Sequence, residues 1–280
     1  MEKLIELKNV AKVYKKHTVL ENVHTTLYKG ETVAIVGKNG AGKSTFLKLI
    51  GGLSKPTKGT VHFHKETGTP GFVVEQFPQE LRFTLAGYLQ HMGRIQGLSK
   101  KKRSSRIEEL LETFEMVEFR HEEIISFSKG MKQKVNMMQA LLSSSKLLLL
   151  DEPLSGLDAR AQLEVERIFT KLKERGMTIV FTCHEERLIH AVADRVITIG
   201  SQRILKNERV QLIEHLTVIE ANVILNKPLR LLKEKCTKIE QHGNYWIFYI
   251  DKKYVNEFLA ELLAVQAEVV KLYHMEREEI

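Results

Sequence analysis

The sequence predicts an α/β fold: a largely parallel sheet flanked by helices, with an all-helical insert and a small α/β tail. Three observations carry this. A β-branched run, Thr32 to Val36, ends at a glycine-rich turn and passes into a helical stretch that begins near Lys43. Later runs, Leu147 to Leu150, Met177 to Thr182 and Arg195 to Ile199, alternate with helical patterns, as crossover connections in a parallel sheet require. Between these halves, from about Phe77 to Lys146, the apolar spacing is helical.

Taken in order, Leu4 to Val10 and Val19 to Leu27 read as strands joined by a polar turn over Lys12 to His17. Thr60 to His64 and Gly71 to Val74 read as further strands. Thr84 to Gln96 and Lys100 to Val117 read as helices, and Ile107, Leu110, Leu111 and Phe114 share one face at i, i+3, i+4, i+7. Met131, Val135, Met138 and Leu142 form another stripe, which reads as core. Leu147 to Leu150 has the composition of a strand buried on both faces, and Val165, Ile168, Phe169 and Leu172 mark the next helix. Beyond about Val210 the pattern gives strands at Val218 to Ile224 and Tyr245 to Ile250, with helices near Leu229 to Lys235 and Val255 to Val265. The expected domains are therefore 1–210, with the helical insert at about 77–146, and a C-terminal extension over 211–280.

The 280 residues include 43 Lys and Arg against 35 Asp and Glu, a formal charge of +8, and 43% are hydrophobic. This composition allows a well-packed core, and disorder is not the default expectation. Two cysteines, Cys183 and Cys236, are too few for a disulfide framework and fit a reducing compartment. The acids at Glu2 and Glu6 argue against a signal peptide, and no run approaches the roughly 20 apolar residues that span a bilayer. The expected location is cytoplasmic, with any membrane role exercised through a partner. His62 and His64 share one strand face, but no third ligand accompanies them, so they read as surface residues.

Chemistry concentrates in two motifs. Gly37-Lys38-Asn39-Gly40-Ala41-Gly42-Lys43-Ser44 matches G-x-x-x-x-G-K-[ST], the Walker A phosphate loop, with Thr45 following. Its glycines let consecutive backbone N–H groups turn toward phosphate oxygens, and the helix N-terminus adds a positive dipole. Lys43 is placed to reach the β- and γ-phosphates of ATP, and Ser44 to ligate Mg²⁺. Leu147-Leu148-Leu149-Leu150-Asp151-Glu152-Pro153 supplies the complement, Walker B. A buried strand delivers Asp151 to the metal, and Glu152 is positioned to polarise the attacking water. The pair predicts a P-loop NTPase core of the RecA-like kind.

With these motifs in place the chain resembles the ATP-binding subunits of ABC transporters. Phe127-Ser128-Lys129-Gly130-Met131 resembles the ABC signature, Ser155-Gly156-Leu157-Asp158 the D-loop, His184 the switch histidine and Gln76 the Q-loop glutamine. Tyr14 lies where the family places an aromatic residue against adenine. With Lys132-Gln133-Lys134, which matches the basic continuation usual after that signature, these six elements stand in the family's order and cover about Leu4 to Leu205. The resemblance implies an antiparallel β subdomain beside the core and ATP sandwiched between two nucleotide-binding domains. In that sandwich Ser128 and Gly130 contact the γ-phosphate in trans, Asp158 couples the two sites, His184 senses the γ-phosphate, and Gln76 links Mg²⁺ and the attacking water to the insert. Lys129 and Met131 depart from the commonest signature, which has a second glycine and a glutamine there.

Within this family the expected role is the motor of an exporter, peripheral on the inner face of the membrane. Permease subunits lie on separate chains, a second nucleotide-binding domain pairs with this one, and nucleic acid is not an expected partner. Soluble ABC ATPases acting on ribosomes are the alternative. They typically carry two phosphate loops, and this chain has one. DNA-repair relatives insert a long coiled coil, and no such heptad run lies between Ser44 and Asp151.

Overall fold

The computed structural model describes residues 2–143, 145–210, 215–223, 236–251 and 254–276. The chain forms two compact units, Met1–Val210 and Gln211–Ile280.

In the first unit β1 (Lys3–Tyr14) and β2 (His17–Tyr28) form a long antiparallel hairpin, and β4 (Lys58–Phe63) pairs with the other edge of β1. The strands outrun their sequence limits. The turn is only Lys15 and Lys16, with Lys15 at φ +55°, rather than the whole of Lys12 to His17.

The second sheet contains β3 (Thr32–Val36), β5 (Gly71–Val73), β6 (Leu147–Leu150), β7 (Thr178–Thr182), β8 (Arg195–Gly200) and β9 (Arg203–Arg209). Its order is β5-β6-β7-β3-β8-β9, parallel except where β9 turns back on β8. Helices α1 (Lys43–Ile50), α5 (Ala159–Glu174) and α6 (Glu186–Val192) connect its strands, while α2 (Leu85–Ile95), α3 (Lys100–Thr113) and α4 (Lys129–Leu141) fill the interval between β5 and β6.

Side-chain alternation explains why the central strands are apolar throughout. Val33, Ile35, Leu147, Leu149, Val180 and Ile197 face a core shared with α1 and the hairpin. Ala34, Leu148, Leu150, Ile179 and Phe181 face the opposite core, with the α5 stripe Val165, Ile168, Phe169 and Leu172 and the insert's Ile107, Leu110 and Leu111. Each fully buried leucine here contributes about 1.5–3 kcal/mol. Helix α3 stops earlier than its apolar spacing suggests, because Phe114 caps it and Glu115 adopts a left-handed φ of +56°.

In the second unit β10 (His215–Asn222), β11 (Cys236–His242), β12 (Tyr245–Asp251) and β13 (Glu268–Glu276) form an antiparallel sheet in the order β11-β12-β10-β13. Helix α7 (Val255–Ala264) brings Phe258 and Leu262 against Ile219, Trp246, Phe248 and Ile250. The helix expected near Leu229 to Lys235 lies outside the described residues.

Candidate active site

The parallel register brings the carboxyl ends of β3, β6 and β7 side by side. Leu150 pairs with Phe181, and Ile35 with Thr182, so Asp151, Thr182 and the start of the glycine-rich loop emerge level with one another. The Asp151 amide donates to Val73 O at 3.0 Å, and the Cys183 amide to Ile35 O at 3.2 Å, extending the ladder just past the strand ends.

The loop after β3 needs its glycines at two positions. A Cβ on Gly37 would lie 2.2 Å from Ile199 O, and φ there is +151°. Gly42, at φ +103°, packs against Val19 O and Leu20. Between them the Ala41 amide donates to Lys38 O at 3.1 Å, turning the loop into α1. Lys38, Asn39 and Gly40 are exposed at its crest, and Gly37 to Ala41 line a cavity of about 580 Å³ with His17, Thr18 and the β8–β9 turn. Tyr14, the last residue of β1, pairs with His17 of that wall and is 44% exposed, with the Lys12 ammonium 4.8 Å from its ring centre.

Behind the loop the titratable groups converge. Lys43 is buried, and its Nζ lies 2.9 Å from Gly37 O, 2.9 Å from His184 Nε2 and 3.3 Å from Glu152 Oε1. His184 Nε2 and Glu152 Oε1 are 3.1 Å apart. Ser44 Oγ donates to Asp151 Oδ1 at 3.1 Å. Glu152 sits at φ +47°, a left-handed conformation that costs a non-glycine residue about 1–3 kcal/mol.

Two contributors carry no motif signal. Thr182, fully buried, donates to Asp151 Oδ1 at 3.0 Å and accepts the Glu152 N–H at 2.7 Å. In the sequence it is simply a β-branched residue ending an apolar strand. Glu185 accepts the His184 N–H at 3.3 Å and lies 3.1 Å from Cys183 Sγ. Burial, reinforced by the Glu185 carboxylate, pushes the Cys183 thiol up to about 12, so it stays a neutral thiol beside the site.

Other sequence-selected residues stand apart from this cluster. Gln76 is exposed on the segment after β5 and hydrogen-bonds to none of the described residues. Ser128 caps α4, accepting the Met131 N–H at 3.2 Å, and Asp158 caps α5, accepting the Ala161 N–H at 2.8 Å. With Gly130 these two residues line a second cavity of about 650 Å³, whose wall includes neither Lys43 nor Glu152. Gly130 packs so closely on Ala161 that a Cβ would stand 2.8 Å from the alanine methyl. Thr45 follows Ser44 in the first turn of α1 and is half-buried. Among the described residues no group of three His, Cys, Asp or Glu side chains is arranged to hold a metal. The hydroxyl–carboxylate pair of Ser44 and Asp151 instead suits a hard divalent cation, which takes oxygen ligands.

Residues 20–155 match the family model described as ABC transporter. The ABC transporter ATP-binding protein NatA of Bacillus subtilis is 33% identical over 202 residues, covering 66% of this chain and 80% of NatA. This chain belongs to the ABC transporter ATPase family. Its similarity extends to YxlF, an uncharacterized ABC transporter ATP-binding protein of B. subtilis, at 35% identity over 69% of this chain and 67% of that one. MetN, a methionine import ATP-binding protein of Nocardia farcinica, is 36% identical over 72% of this chain and 66% of its own length. The chain thus spans about two thirds of the length of these two relatives. The dimeric ATP-binding cassette MJ0796 bound to ADP and Pi superposes with a TM-score of 0.65 at 27% identity, over 74% of this chain and 99% of that one. The fold is that of an ABC ATPase cassette, and the chain is an ATP hydrolase of this family. No helix among the described residues is long and apolar enough to cross a membrane.

Proposed function

We propose that this chain is the cytoplasmic, membrane-peripheral motor subunit of an ABC exporter, in which ATP closes a pair of nucleotide-binding domains and hydrolysis releases them. The observation that carries the reading is the convergence of Lys43, Glu152 and His184 beside the Ser44–Asp151 pair at the ends of three parallel strands.

The loop from Gly37 to Gly42 and the start of α1, through Thr45, bind the ATP phosphates with backbone N–H groups, and Lys43 moves from Glu152 onto the β- and γ-phosphates. Ser44 and Asp151 would hold Mg²⁺, with Gln76 nearby in the closed state, and the bound ion would supply neutralisation of the charge developing on the transferred phosphoryl group. Glu152, freed from Lys43, accepts the proton of the attacking water, and His184 contacts the γ-phosphate. Tyr14 stacks on adenine. Ser128 and Gly130 present the N-terminus of α4 to the nucleotide of the second domain, and Asp158 couples the two sites. The unit over 1–210 is the ATPase domain, and 211–280 is an extension.

Export is supported by the likeness to the linearmycin resistance ATP-binding protein LnrL of B. subtilis, 31% identical over 202 residues. Import is the second reading, favoured by the likeness to MetN. Purifying tagged Glu152→Gln protein from gently solubilised membranes with MgATP tests the assignment. A co-purifying multi-spanning membrane protein supports the motor reading and identifies the chain that sets cargo and direction. Recovery of ribosomes or other soluble partners alone overturns it.

A further inference from the structure

The site contains one fully buried hydroxyl whose two hydrogen bonds go to the two residues that divide the chemistry of the Walker B strand. We infer that Thr182 is a positioning residue for hydrolysis, its hydroxyl locking the Asp151 carboxylate and the Glu152 backbone into one arrangement. The inference rests on Asp151 and Glu152 acting as proposed above.

The register explains how one side chain reaches both. Because Leu150 pairs with Phe181, Thr182 stands level with Asp151 on the neighbouring strand. Its Oγ1 donates to Asp151 Oδ1 at 3.0 Å, the same oxygen that accepts from Ser44 at 3.1 Å. That carboxylate oxygen is therefore clamped from two sides, by the first turn of α1 and by the end of β7. The same hydroxyl oxygen accepts the Glu152 N–H at 2.7 Å. A hydroxyl supplies one donor and two acceptor sites, so both bonds form together, and both geometries are fixed by one torsion.

The second bond matters because Glu152 is left-handed at φ +47°. Its conformation turns the chain out of the β6 ladder, so its amide needs a partner other than a backbone carbonyl of the neighbouring strand. Thr182 supplies that partner, and the left-handed turn leaves Glu152 Oε1 within 3.1 Å of His184 Nε2 and 3.3 Å of Lys43 Nζ. Threonine suits the task better than serine, since β-branching restricts χ1 and holds the hydroxyl in place. Valine has the same shape and neither bond, leaving the part-buried Glu152 amide without its partner.

The test compares Thr182→Val, Thr182→Ser and Glu152→Gln with the unmodified chain, reading kcat and KM for ATP and the Mg²⁺ dependence of fluorescent-nucleotide binding. The expected result for Thr182→Val is a kcat about 10-fold lower or more, with nucleotide affinity in EDTA within about threefold and half-saturation shifted to higher Mg²⁺. Thr182→Ser should recover kcat to within about threefold, because it keeps the hydroxyl. A purely structural role would lower nucleotide affinity and thermal stability together and leave the Mg²⁺ midpoint in place. Wild-type kcat in Thr182→Val, alongside an inactive Glu152→Gln, overturns the inference and leaves the site reading intact. Equal impairment in the valine and serine variants also overturns it. Wild-type turnover in Glu152→Gln removes the site reading, and the inference with it. Should the valine variant lose nucleotide binding in EDTA, Thr182→Ala takes its place, with the same criteria.

Discussion

Lys43 Nζ and Glu152 Oε1 stand 3.3 Å apart, the lysine buried and the carboxylate 23% exposed, so the cation that opens α1 is paired with the carboxylate that follows β6. The pairing keeps a buried ammonium neutralised, and it places the phosphate-binding cation and the proposed base within one contact of each other. In the proposed mechanism a γ-phosphate that takes Lys43 draws it away from Glu152, which ties nucleotide binding to the arming of the base.

Lys43→Ala is expected to weaken MgATP binding by about 10- to 100-fold, the loss of one charge-assisted contact, and to abolish turnover. Titration with a fluorescent nucleotide beside a phosphate-release assay checks both. Unchanged tight binding would remove the phosphate role of Lys43.

Gly37→Ala should destabilise the first unit and eliminate nucleotide binding, because the added Cβ would lie 2.2 Å from the Ile199 carbonyl at φ +151°. Gly30→Ala is the control: φ there is +75°, but nothing lies within 4 Å of its Cβ, so it carries backbone strain alone, about 1 kcal/mol. Thermal melts should show the larger loss at Gly37. Equal losses would show that backbone strain, rather than the carbonyl contact, governs the loop.

Much of this architecture is legible in the sequence where burial is two-sided. Leu147 to Leu150 reads as a strand because both faces are covered, and the α5 stripe reads as a helix because one face is. Arg203–Arg209, Cys236–His242 and Glu268–Glu276 went unread because their described side chains are exposed or only half-buried, so no buried face marks them. Arg203–Arg209 is exposed at almost every position, so no alternation marks it. The phosphate loop and Walker B pair were legible because backbone-phosphate chemistry demands glycines and a carboxylate at fixed spacing. Thr182 and Glu185 were not, because their roles arise only when strand register sets them beside Asp151 and His184.

Cys183 should resist alkylation in the folded chain. Burial, with help from Glu185, raises its thiol from 9.0 to about 12, so the nucleophilic thiolate is scarce at pH 8.5. Because the folded value is the higher one, the associated stability is complete below pH 9 and is lost as the pH rises toward about 12. Peptide mapping after iodoacetamide treatment, native against denatured, reads this directly. Rapid native labelling of Cys183 would contradict the packing around His184.

The most direct test of the account is a paired measurement on Glu152→Gln: equilibrium MgATP binding and steady-state turnover in the same preparation. The account predicts affinity within about threefold of the unmodified chain and turnover lower by about 100-fold or more, the scale of a lost general base. Turnover at the unmodified rate would show that Glu152 is not the base, and that the cluster around Lys43 and His184 does other work.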